Sequence, residues 1–179
     1  MHTLVGDWSG TSRLWFEPGE PANTSPAVLS VRPTLGGRGV ILEYRWTMQA
    51  AEDDGEVTEA EEQLGTLVVT PVDDGHHLAS IDTFGTGGTI MLLTSTALAE
   101  GALADPPPAD VGADVTPLVQ VLGSYHGDGE IWGWRMAITQ IDHDNLVITS
   151  WNVEPTSEQQ LAVVDSYTRQ IDPHDEVAI

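Results

Sequence analysis

The chain has 179 residues, with 28 Asp and Glu against 6 Lys and Arg, no Cys and a formal net charge of −22. All six basic residues are Arg (13, 32, 38, 45, 135 and 169). A polyanion such as DNA or RNA therefore has no clustered cation to grip, and lysine Schiff-base and P-loop chemistry are excluded. The missing Cys rules out disulfides, thiolate metal sites and a cysteine nucleophile. The length fits one domain over 1–179 with a single core, burying roughly 70% of the unfolded surface. An acidic, Arg-only composition fits a G+C-rich coding sequence or a high-salt habitat. The first residues contain no signal-peptide pattern and no run reaches the ~20 apolar residues of a membrane span, so the expected location is cytoplasmic.

Taken in chain order, the hydrophobic pattern reads as strands almost throughout. Segments 8–16 and 27–34 are the first two, separated by the turn-rich Glu17-Pro18-Gly19-Glu20-Pro21. Over 40–49 the even positions are apolar and the odd ones from Glu43 polar, the mark of a half-buried strand. Between 51 and 62 lie seven acids, read as a solvated hairpin tip. Strands follow at 63–70, 77–84 and 89–95, divided by Asp73-Asp74-Gly75 and Gly85-Thr86-Gly87-Gly88. The stretch 96–117, with Pro106-Pro107-Pro108, is too long for a tight turn and is read as an excursion with a helical turn at 97–104, forming a lid over one barrel mouth. Strands at 118–126, 130–141, 146–153 and 161–171 complete the chain. About ten sequential strands joined by short turns predict an all-β, closed, up-and-down antiparallel barrel, because an open sheet of that size would leave two exposed edges.

Gly6-Asp7-Trp8-Ser9-Gly10 opens the first strand and Tyr167-Thr168-Arg169 closes the last. In a barrel, Trp8 can plug one end, with Gly6 allowing close approach and Arg169 lying across the indole face. With these segments, Leu35-Gly36-Gly37-Arg38-Gly39 followed by Glu43-Tyr44 and Met48, and Ile81-Asp82-Thr83-Phe84-Gly85-Thr86-Gly87, the chain resembles the calycin superfamily of lipocalins, fatty-acid-binding proteins and nitrobindins. Within it, the sequence most resembles an uncharacterised bacterial family of lipocalin-like domains. The resemblance implies a closed barrel around an internal cavity, without an agreed activity. The nitrobindin branch holds haem through a His on its last strand. Residues 158–169 contain no His, so no cofactor is expected, and haem would need Tyr167 or an inward His from another strand.

Strand parity turns Tyr44, Trp46 and Met48, and Trp132, Trp134 and Met136, towards the interior. Six Trp beside three Tyr and two Phe is an unusual balance. These rings either fill the barrel or line a ligand cavity, and one bulge would reverse the parity. Gln140 and Asn152 are candidate polar groups in such a cavity. The His residues show no metal spacing, and no metal is expected. His126 ends a strand near a mouth and is a candidate base or a rim residue. Asp82 is either a cavity acid or base, with Tyr44 as a further proton-handling candidate, or a carboxylate that caps the glycine-rich turn after it. The reading is a barrel that binds a hydrophobic or aromatic small molecule; the alternative is a cofactor-free isomerase or cyclase acting on a polyketide-like or terpenoid substrate. A homodimer is left open. With the acids assigned to the 52–62 tip, the turns and the tail (Asp172, Asp175, Glu176), the expected ligand carries little charge.

Overall fold

The structure is a computed structural model and describes residues 1–48, 60–100, 103–106, 115–127 and 129–170, with 52–53 and 56–57 as backbone. Its strands are β1 (Gly6–Leu14), β2 (Asn23–Thr34), β3 (Gly39–Met48), β4 (Glu52–Asp53), β5 (Glu56–Val57), β6 (Glu61–Val72), β7 (Gly75–Asp82), β8 (Met91–Thr94), β9 (Val119–Gly127), β10 (Glu130–Gln140), β11 (Asn145–Val153) and β12 (Gln159–Arg169). Ten of them form a closed barrel in the order β1-β12-β11-β10-β9-β8-β7-β6-β3-β2, while β4 and β5 pair only with each other. Every barrel pairing is antiparallel. This is the closed, up-and-down antiparallel architecture the strand pattern predicts. The β4–β5 pair falls in the predicted acidic tip, whose remaining residues, like the C-terminal acids, lie outside the described ones.

Alternation decides which side chains fill the barrel. Val40 and Leu42 on β3, Leu67 and Val69 on β6, and Leu78 on β7 all point inward and are fully buried. They pack with Leu4, Trp8, Val31, Ile138 and Leu146 into one continuous cluster. At about 1.5–3 kcal/mol for each fully buried aliphatic side chain, this cluster supplies most of the cohesion. It is anchored in the half of the barrel where β1 begins and β12 ends, and its edge at Leu67, Met136 and Ile148 borders the open half. In the other half inward rings and methionines are interspersed with small or polar residues such as Ser12, Ser80 and Ser150, and the barrel is hollow.

The excursion behaves differently from the expected lid in its described parts. Helix α1 (Ser95–Glu100) lies against β9 and β7. The Ser95 hydroxyl donates to Gln120 O (2.7 Å) and accepts from His76 N (3.0 Å). Farther along, Ala104 O accepts from Arg135 Nη1 (3.2 Å) and Gln159 Nε2 (2.8 Å). Arg135 and Gln159 are outward by register, so residues 103–106 run along the outer wall of β10 and β12; 107–114 lie outside the described residues. β10 and β11 are buried on both faces, with outward Ala137, Thr149 and Trp151 as inaccessible as the core. Among the described residues no helix is long and apolar enough to cross a membrane.

Candidate functional site

One end of the barrel is sealed. Trp8 sits across it, its indole N–H donating to Leu4 O (3.0 Å). The Arg169 guanidinium lies 4.0 Å from the Trp8 ring centroid. It donates to Val5 O (2.8 Å), Thr3 O (2.6 Å) and His143 O (3.0 Å), tying both ends of the chain and the β10–β11 turn to the plug. Gly6 has φ +144°, and a Cβ there would stand 2.7 Å from Arg169 Nη1, so the position requires glycine. Gly6, Trp8 and Arg169 thus meet at this end of the barrel.

The opposite half encloses a cavity of about 630 Å³. Leu67, Met91, Met136 and Ile148 form apolar parts of its wall, and Tyr44, Trp46 and Trp134 contribute the large rings. Its mouth is rimmed by apolar side chains. Phe84 packs edge-to-face on Trp46 (5.5 Å) and Phe16 (6.3 Å), while Phe16 and Ile90 are each 64% exposed.

Polar groups enter this wall in an ordered way. Tyr44, Gly65 and Asp82 are successive register partners across β3, β6 and β7. Because Gly65 has no side chain, the Tyr44 ring lies across β6 and brings its hydroxyl beside the Asp82 carboxylate; a Cβ on Gly65 would overlap the ring. Burial, followed by the charges of Asp82 and Asp165, pushes the Tyr44 hydroxyl far above its ordinary value, so it stays neutral. Asp82 Oδ1 accepts from Gly85 N and from Thr86 N (2.9 Å), and Asp82 O accepts from Gly88 N (2.8 Å). It thus caps the 85–88 turn while facing the cavity.

The most unusual group is Asp165 on β12. It lines the cavity, is 8% exposed, and one carboxylate oxygen, Oδ1, has no hydrogen-bond partner. Burial pushes its pKa up to about 6, partly offset by Ser12, its register partner on β1. Ser12 moderates the carboxyl by proximity, but its Oγ completes no well-formed hydrogen bond. Below Asp165, Tyr167 is displaced well upward, first by burial and then by the negative charge of Asp165.

The structure brings Tyr44, Trp46, Asp82, Trp134, Met136 and Asn152 together on the cavity wall. Asn152 Oδ1 is occupied by the Tyr125 hydroxyl (2.9 Å). His126 borders the mouth and is exposed, its register position pointing outward beside Ile131. Three expected lining residues lie elsewhere. Gln140 faces the sealed end, accepting from the Thr3 hydroxyl (2.7 Å), because β10 runs from the mouth to the plug. Met48 ends β3 beyond the cavity wall, paired with Glu61. Trp132 has the inward register of Tyr125 but is tucked beside Gly127, its indole N–H buried without a partner. Sequence reasoning missed Asp165, and with it the charge in the interior. The signal was present as one acid inside Leu161-Ala162-Val163-Val164-Asp165, an otherwise apolar run.

Residues 1–84 match a family model described as "Protein of unknown function (DUF1579)". None of the curated proteins matches. Among solved structures, the S-type phycobiliprotein lyase CPES of Guillardia theta is similar at 10% sequence identity and a TM-score of 0.38, over 96% of this chain and 90% of that one.

Proposed function

We propose that the protein is a binding barrel that holds one small molecule with an aromatic or otherwise apolar body in the cavity between its plug and its mouth. The observation that carries this reading is the division of the barrel: one end is closed by Trp8 over a buried apolar cluster, and the other keeps about 630 Å³ open behind an apolar rim. A volume of this size, lined by rings and sulfur with a few placed polar groups, is typical of ligand sites. Met91 and Met136 adapt to an irregular ligand, and Trp46 and Trp134 offer flat apolar faces. The two wall residues read from the sequence as proton handlers fit binding better than turnover. Asp82 is engaged by the amides of its own turn, and the Tyr44 hydroxyl holds its proton tightly, so neither is free to act as a base.

Titration with N-phenyl-1-naphthylamine, a neutral probe that brightens in apolar surroundings, tests the reading. Saturable one-to-one enhancement is expected, with energy transfer from tryptophan. Ser150→Phe, which projects a ring into the cavity from β11, should abolish the enhancement while the circular dichroism of the barrel persists. No saturable binding, or binding indifferent to a filled cavity, overturns the proposal.

A further inference from the structure

The cavity wall carries negative charge without an internal counter-charge. Asp165 and Asp82 both face it, no Arg lines it, and His126 at the rim is the one described lining residue able to become cationic. Asp165 is the decisive group. Asp82 has the 85–88 turn amides as partners, whereas Oδ1 of Asp165 has none and is screened from solvent. A buried acceptor left unmatched is costly, and an unpaired carboxylate more so. An entirely apolar ligand would drive out the remaining water and worsen that mismatch. A ligand bearing a positive, hydrogen-donating group at the same depth would remove it. The flanking hydroxyls cannot neutralise the acid: Ser12 Oγ is itself unmatched, and Tyr44 and Tyr167 stay neutral. The field of a chain with net charge −22 further favours entry of cations and opposes anions.

We propose that the cavity selects organic amines, with the ammonium group seated against Oδ1 of Asp165 and the apolar body against the aromatic and methionine wall. This inference rests on the binding-barrel reading and sharpens it: the ligand expected from composition carries little charge, whereas the structure points to a monocation. Ser12 would accept a second ammonium proton, giving two acceptors from neighbouring strands for one donor group.

Calorimetric titration with three probes of one shape provides the test: 1-naphthylmethylamine, 1-naphthalenemethanol and 1-naphthoate, near neutral pH. The amine should bind about tenfold more tightly than the alcohol, as expected for a desolvated charge pair, and the carboxylate should bind most weakly. In Asp165→Asn the amine should lose its advantage and bind no more tightly than the alcohol. In Asp82→Asn the preference for the amine should remain. Equal affinity of the wild-type protein for amine and alcohol overturns the inference and needs no variant. So does a preference that survives Asp165→Asn or disappears only in Asp82→Asn. Failure of all three probes to bind overturns the binding-barrel reading together with it, whereas tight binding of the alcohol without a preference for the amine overturns the amine assignment alone.

Discussion

Replacing Asp165 by Asn should stabilise the fold, by an amount that depends on pH in a definite direction. The carboxyl has an ordinary pKa near 3.8 in the unfolded chain and one of about 6 when folded, because burial disfavours its charged form. Below about pH 4 both states are protonated and the group does not distinguish them. Between about pH 4 and pH 6 the unfolded chain releases the proton while the folded one retains it, so wild-type stability declines. Above about pH 6 both are ionised and the penalty is constant. A difference of about two pKa units corresponds to about 3 kcal/mol, a ceiling, since a carboxylate facing a cavity retains some hydration. Asn has the same shape and no charge, so it removes the penalty, and its amide can donate to Ser12. Urea denaturation of both proteins across this range isolates the effect, because the titration of the other acids cancels in the difference. The variant should match the wild type near pH 4 and exceed it by about 2–3 kcal/mol above pH 6.5. A difference that does not change with pH, or a variant less stable at neutral pH, would refute the account of Asp165 as a buried, unmatched carboxyl.

Substitutions at three further positions probe the rest of the design. Gly65→Ala places a methyl group where the Tyr44 ring lies, and should destabilise the protein by about 1–3 kcal/mol and weaken probe binding, both measurable on one preparation. Arg169→Ala removes three charge-assisted hydrogen bonds and the contact with Trp8, and should cost about 2–4 kcal/mol in chemical denaturation. Arg169→Lys should restore little, because an ammonium cannot reach three carbonyls and cover the indole together. Arg45→Ala breaks an exposed 4.0 Å pair with Glu62, and should change stability by less than about 0.5 kcal/mol.

The barrel was legible because its information is local. Alternation over 40–49 and 130–141 announced two strands that the structure bounds at Gly39–Met48 and Glu130–Gln140, and turn residues such as Asp73-Asp74-Gly75 fixed their sequence neighbours as spatial ones. The plug was legible for a related reason: Trp8 and Arg169 lie near the two chain ends, which closure of an up-and-down barrel must bring together, and they are direct register partners. The excursion was not. Nothing in 96–117 says whether it crosses a mouth or descends the wall, and the deciding contacts come from Arg135 and Gln159, outward residues on distant strands.

The site was read only in part, because alternation gives the face of a strand and not the height along the barrel. Trp134 and Gln140 share the inner face of β10, six residues apart, and one lines the cavity while the other bonds Thr3 beneath the plug. Height depends on how all ten strands are staggered, a property no single segment contains. The same limitation concealed Asp165. From the β12 sequence alone an acid among aliphatic residues can face outward at little cost, since the continuous run Leu161-Ala162-Val163-Val164 before it shows no alternation that would assign its face. Register with Ser12 and Ile148 turns it inward, and only the height of that rung places it on the open half, where a carboxyl can meet a ligand, instead of in the packed half, where it would meet Leu and Val. An acid kept at that height lowers stability above about pH 6, and binding a cation would reverse the loss. Ligand-induced stabilisation should therefore be greater for an amine than for its isosteric alcohol, and the excess should vanish in Asp165→Asn.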